Sequence, residues 1–133
     1  MNLKISKVII ESLIEHAKRD APIEACGYLG GIDSEVTQIV PMCNTDASEQ
    51  HYSLDPREQF HAVKSLRAQG LKVLAVYHSH PCTPARMSLE DIRLAHDPDM
   101  SYVIVSLESD PVVKSFRIEN GLAVEQDIEV VQG

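Results

Sequence analysis

The stretch "VYHSHPCTPARMSLED", Val76 to Asp91, decides how the rest of the chain is read. It continues "KVLAVY", a nearly all-apolar run that predicts a strand buried on both faces. In a strand, residues i and i+2 point to the same side, whereas in a helix they would lie about 200° apart. The strand therefore sets His78 and His80 on one face, close enough to share a metal ion, and Pro81 removes a backbone donor and ends the ladder. Ser88 opens a helix, and Asp91 falls in its first turn. Ser-x-x-Asp resembles a capping box, although Glu or Gln is the usual partner. Capping and metal binding are compatible. A hydroxyl that accepts a backbone N–H still has its own proton to give, and the positive end of a helix keeps an Asp ionised. Two neutral imidazoles and one carboxylate match a catalytic zinc site with three protein ligands and an open fourth position; a structural site would be richer in Cys.

Working outward, Ser6 caps a first helix with Ile9, Ile10, Leu13, Ile14 and Ala17 at helical spacing, and the whole N-terminus reads as helix, ending by Asp20 ahead of Pro22. "ACGYLGGID" is a short apolar strand, "VTQIVPMC" its antiparallel partner, and "NTDASEQHYS" a polar loop. Asp55-Pro56-Arg57-Glu58 starts a second helix, with Asp as cap and Glu placed to reach back. Phe60, Val63 and Leu66 form its inner face, and Gly70 stops it. After the third helix come "SYVIVSL", "VVKSFRIE" and "LAVEQDIEVV", the last two joined by Asn120-Gly121 as a hairpin. Leu122, Val124, Ile128 and Val130 alternate on one face of the final strand, and Glu125, Asp127 and Glu129 on the solvated one. The sum is an α/β (α+β) fold in one domain, 1–133, with a mixed central sheet and about three helices.

The chain has 133 residues, long enough for a single core, and a net charge of −8. That balance argues against a protein that works by holding nucleic-acid phosphates. No apolar run approaches the roughly 20 residues of a membrane span, and the acid-bearing N-terminus does not read as a signal peptide. The three cysteines, Cys26, Cys43 and Cys82, have no C-x-x-C spacing, which speaks against a zinc knuckle or a disulfide scaffold. A cytoplasmic location follows as the default. Cys43 and Cys82 could still meet as one bridge.

A metal hydrolase needs a carboxylate outside the metal shell to move protons and a donor for the oxyanion. Ser88 is a candidate for the donor. Spacing does not choose the carboxylate among twenty acids. Glu24, in "PIEACGYLGG", precedes an apolar strand, where a surface Glu has little structural reason to be.

His78-Ser79-His80, seven residues, Ser88, two residues, Asp91 resembles the JAMM motif of the MPN+ metalloproteases, and "PIEACGYLGG" looks like the segment that carries that family's catalytic Glu. The resemblance spans essentially the whole chain and implies a cytidine-deaminase-like fold. It implies one Zn²⁺ held by His78, His80 and Asp91, with Glu24 as general base and acid and Ser88 steadying the oxyanion. It also implies cleavage of a peptide or isopeptide bond after the C-terminal Gly-Gly of a ubiquitin-like or sulfur-carrier protein, as in the compact prokaryotic members. The tail would add to a sheet edge, either the strand after Glu24 or the segment after Asn44. The competing function is an MPN-type binding or scaffold module with structural zinc. A zinc deaminase is excluded: its signature needs Glu where His80 stands and Cys where Ala85 stands. His16, His51, His61 and His96 lack partners at ligand spacing and read as surface or helix residues, with His51-Tyr52 bordering the substrate groove; Met87 reads as packing.

Overall fold

The computed structural model describes residues 2–132. The elements run β1 (Leu3–Ser6), α1 (Lys7–Asp20), β2 (Cys26–Ile32), β3 (Glu35–Met42), α2 (Pro56–Ala68), β4 (Lys72–His80), α3 (Leu89–Leu94), β5 (Ser101–Ser106), β6 (Val112–Glu119), β7 (Leu122–Gln126) and β8 (Ile128–Val131). All eight strands join one sheet in the order β7-β6-β5-β4-β2-β3-β1-β8. It is mixed: β1 runs parallel to β3 and β8, β4 runs parallel to β5, and the other pairs are antiparallel.

The N-terminus is not all helix. Leu3 and Ile5 are buried and point into the core from β1, and only at Ser6, whose hydroxyl accepts from the Ile9 amide, does the helix begin. Nor is "LAVEQDIEVV" one strand. β7 pairs with β6, while β8 lies beside β1 at the far side of the sheet. Only Asp127 separates them, and its carbonyl accepts from the Leu3 amide at 2.9 Å. One residue can bridge the two ends of the strand order only if the sheet rolls until its edges meet. Of the expected apolar face of this segment, Leu122, Val124 and Val130 are exposed, and Ile128 alone packs, half-buried, against the core under α1. The buried residue is Gln126, whose Oε1 accepts from the hydroxyls of Ser101 and Ser115, both at 2.8 Å.

Helix α1 covers one face of the sheet, placing Ile9, Leu13 and Ala17 on Leu29, Val36, Ala75, Tyr77, Val103 and Val105. The other face carries two smaller clusters. Met87 and Ala95 flank α3 and pack with Tyr102, Ile104 and Phe116, while Ala62 of α2 packs with Tyr28 and Met42. Asp55 caps α2 as expected, accepting from the Arg57 amide, but Glu58 reaches the Cys43 amide instead of its own helix end. The inner face of α2 is Gln59, Ala62, Val63 and Leu66, with Val63 packed against the Tyr28 cluster as expected; Phe60 is 64% exposed and faces outward. In β4 the deeply buried part is Tyr77–His80, whereas Val73, Leu74 and Val76 are half-buried.

β2 lies inside the sheet between β3 and β4, so it cannot be the open edge expected for a substrate tail. Its close fit depends on Gly27: a Cβ there would strike the Val40 carbonyl oxygen and come within 2.6 Å of the Tyr77 ring. Gly27→Ala is expected to destabilise the fold by about 1–3 kcal/mol through overpacking. The check is a lower urea midpoint at unchanged slope.

Candidate active site

Strand alternation sends Tyr77 and Ser79 toward α1 and His78 and His80 toward the face that carries α2 and α3. His78 sits in register between Cys26 of β2 and Ile104 of β5, and His80 is the strand's last residue. The loop after Pro81 turns back so that Ser88 starts α3. There the Asp91 amide donates to Ser88 Oγ at 3.0 Å and the Ser88 amide to Asp91 Oδ2 at 2.9 Å, a reciprocal cap. That same Oδ2 faces both histidines.

Three donor atoms therefore stand at the corners of a nearly equilateral triangle. His78 Nε2 and His80 Nε2 are 3.1 Å apart, and Asp91 Oδ2 is 3.2 Å and 3.1 Å from them. Around a tetrahedral zinc with bonds of about 2.0–2.1 Å, neighbouring donors lie roughly 3.3–3.4 Å apart, so the triangle has nearly the size of one face of such a shell. The tautomer of His80 is prepared for it too, whereas His78 Nδ1 is buried with no hydrogen-bond partner. His80 Nδ1 is 2.9 Å from the Pro84 carbonyl, which can only accept. The proton of a neutral His80 is thus held on Nδ1, leaving a lone pair on Nε2. His78, His80 and Asp91 form a group able to hold a metal ion.

Burial pulls the His78 imidazole below its ordinary pKa despite the hydrogen bond and charge of Asp91. For His80 burial also pulls down, but the contacts with Asp91 and the Pro84 carbonyl outweigh it and the net shift is upward. Burial would raise Asp91, yet hydrogen bonds from both histidines and from the Ser88 amide hold it far below the usual carboxylate range. Asp91 is anionic at any pH where the protein works.

Glu24 lies between the turn after α1 and the start of β2. It is 3% exposed, and its Oε1 has no hydrogen-bond partner. Burial pushes its carboxyl up to about 7; His80 opposes this, while Asp91 and Glu90 add to it. The backbone around it is tied to the histidine strand: the Ala25 amide donates to Ser79 Oγ at 2.7 Å, and the Ser79 amide donates to the Ala25 carbonyl at 2.9 Å. The residue between the two histidines thus fixes the peptide that follows Glu24. A raised carboxylic acid beside a cation site is suited to carrying a proton in both directions near neutral pH.

Tyr52 was not singled out by the sequence as part of this site beyond a place at the groove. Its ring stacks on His78 with centroids 4.6 Å apart and 23° between planes. It comes from a polar loop without periodicity, and only its being aromatic among polar neighbours could have marked it. A cavity of about 270 Å³ opens beside it, lined by Tyr52, Leu54, His78, Met87, Asp91 and Tyr102 among others. Glu24, His80 and Ser88 lie outside that lining. His51 borders the same cavity, whereas His16 is a buried helix residue held by Tyr77 and Asp20. Cys43 and Cys82 are exposed free thiols, not a bridge.

Comparison with known proteins places these features. The chain is 35% identical to the CysO-cysteine peptidase of Mycobacterium tuberculosis, with 98% of this chain and 92% of that protein covered. It is 34% identical to a probable TtuB-protein conjugate cleaving protease of Thermus thermophilus, covering 92% and 80% of the two. The solution structure of protein DSY2949 from Desulfitobacterium hafniense superposes with a TM-score of 0.91 at 44% identity, over 98% of this chain and 94% of that one. The family model described as prokaryotic homologs of the JAB domain matches residues 6–119, a span that holds the triangle, Glu24 and Ser88. With that match and these relatives, the chain belongs to the prokaryotic JAB-domain family.

Proposed function

We propose that the protein is a zinc-dependent peptidase that cleaves a peptide or isopeptide bond after the C-terminal Gly-Gly of a ubiquitin-like or sulfur-carrier protein. The observation that carries this is the donor triangle of His78, His80 and Asp91 standing near a buried Glu24 carboxyl whose Oε1 has no hydrogen-bond partner. A closed structural site would have no use for such a group. The substrate class is carried over from the relatives, one named for CysO-cysteine and one for TtuB conjugates.

His78 Nε2, His80 Nε2 and Asp91 Oδ2 would hold one Zn²⁺, which when bound supplies a Lewis acid that makes water nucleophilic near neutral pH. Glu24 takes the proton from the attacking water and returns it to the leaving nitrogen; a pKa of about 7 lets the same oxygen do both. Ser88 Oγ accepts the Asp91 amide, and its own hydrogen remains available to the oxygen that becomes negative. Tyr52, stacked on His78, covers one side of the ligand ring and leaves the cavity as the approach for an extended tail. With β2 enclosed, the His51–Leu54 part of the segment after Asn44, which lines the cavity, is the surface such a tail would meet.

Among the described residues no helix is long and apolar enough to cross a membrane. The three free thiols agree with work in the reducing cytoplasm, which this reading implies.

The test is mass spectrometry of sulfur-carrier proteins extended beyond Gly-Gly and incubated with zinc-loaded protein. The expected product ends at Gly-Gly and is absent when a chelator is added. Capture of the carrier without cleavage would replace the peptidase by a binding module.

A further inference from the structure

The Ala25 amide is tied to Ser79 of β4, but the amide and carbonyl of Glu24 itself hang from the loop between β3 and α2. Its amide donates to the Ser48 carbonyl at 2.9 Å. Its carbonyl accepts from Asn44 Nδ2 at 3.2 Å. Neither group joins the β2 ladders, which begin at Cys26. The same Asn44 organises the loop. Its Nδ2 also donates to the His51 carbonyl at 2.9 Å, and its Oδ1 accepts the amides of Asp46 and Ser53, each at 3.1 Å. Asn44 is 7% exposed, so these bonds are shielded from competing water. An Asn can use both amide hydrogens and both carbonyl lone pairs, and here all are engaged by backbone groups of two segments. One of those segments presents His51, Tyr52, Ser53 and Leu54 to the cavity. The other holds the carboxyl aimed at the reaction.

We propose that Asn44 is a positioning residue that makes the 44–54 loop and the Glu24 peptide move as one unit, so that a substrate seated against His51–Leu54 sets the place of the Glu24 carboxyl. The coupling rests on the catalytic reading of Glu24 for its consequence, but not for its existence. Other ties within the loop bypass Glu24. Asp46 Oδ2 accepts from Ser53 Oγ at 2.7 Å and lies 3.1 Å from His51 Nδ1, and these shape the loop without reaching the Glu24 peptide. Cutting the Asn44 link and cutting the Asp46 links should therefore have different results.

Two arms test this. Amide hydrogen exchange needs no substrate. In the unaltered protein the Glu24, Asp46 and Ser53 amides should exchange with one common protection, below that of Tyr28 and Leu29 in β2, as a single opening unit requires. In Asn44→Ala the Glu24 amide should lose protection together with Asp46 and Ser53, because Asn44 Nδ2 leaves both the Glu24 carbonyl and, at 3.5 Å, the Ser48 carbonyl that accepts this amide. Glu24 protection that follows β2 instead of the loop overturns the proposal, and the unaltered protein alone decides this if the variant does not fold. In the kinetic arm, Asn44→Ala should lower kcat about 10–100-fold, the scale of a roughly 1 Å misplacement, while KM changes by less than about threefold. Asp46→Ala should keep kcat within about threefold. Equal losses of kcat in the two variants overturn the proposal. An unaltered protein that cleaves no carrier would count against the peptidase reading, while the exchange arm still decides the coupling.

Discussion

Glu24→Gln is expected to lower the cleavage rate by about 10²–10⁴-fold, the range lost when a positioned proton carrier is removed. Gln has the shape of the carboxyl but takes no proton from water, so binding of metal and carrier should persist while turnover does not. Steady-state kinetics with metal stoichiometry measured on the same preparation separates these, and a variant within about tenfold of the parent rate would remove Glu24 from the mechanism. The substitution has a second consequence that runs the opposite way. In the unfolded chain this carboxyl ionises near 4.5, and in the folded protein near 7. The folded state therefore prefers the protonated form. Ionisation costs stability progressively as pH rises from the lower value to the higher one, and the cost is full above both. Metal-free Glu24→Gln should thus be more stable than its parent at pH 8, by roughly 1–3 kcal/mol, and equal to it at pH 4. Urea unfolding at the two pH values reads the difference. In the zinc-loaded parent the nearby cation favours the ionised carboxylate, so activity should climb with pH at a midpoint below the metal-free value of about 7, because only ionised Glu24 accepts the proton.

Asp91→Asn is expected to abolish cleavage by removing the metal. The carboxylate supplies the one negative charge of the triangle, and its Oδ2 is the atom that meets both imidazoles. An amide oxygen is a poorer ligand and carries no charge. The loss of affinity should exceed the roughly 10–100-fold that accompanies removal of an outer hydrogen bond around a metal. Asn can still accept the Ser88 amide, so the cap of α3 should survive and thermal stability without metal should change little. Metal titration beside a melting curve distinguishes loss of a ligand from loss of the helix. Tight binding of one equivalent by the variant would show that Asp91 caps but does not ligate.

The metal triangle was legible because each member follows from short-range geometry. A strand puts His78 and His80 on one side, and a Ser-x-x-Asp start fixes Asp91 in the first turn of the next helix. Glu24 was legible as an acid out of place before an apolar strand. Asn44 and the stacking of Tyr52 were not, because their roles depend on where a non-periodic loop comes to rest. β1 escaped because four residues run without a break into α1, and their partners, β3 and β8, are distant in sequence. The break at Asp127 escaped for a related reason: the alternation continues through it, and only the buried Gln126 with its two serine donors marks the change of partner. On α2, Phe60 drew attention by size, but the buried face is set by Ala62 and Leu66.

The seam at Asp127 also governs when the molecule can be completed. Of the described elements β1 leaves the ribosome first and β8 last, and they lie side by side as Leu3–Ser6 against Ile128–Val131. Until β8 emerges, one flank of the nascent sheet presents unpaired amides and carbonyls, a template for association with other chains. Closure waits for β8, by the pairing of greatest sequence separation among the described strands, and such pairings form slowly. The finished sheet thus shelters its edges against each other, and the growing chain passes through a period in which that shelter does not yet exist.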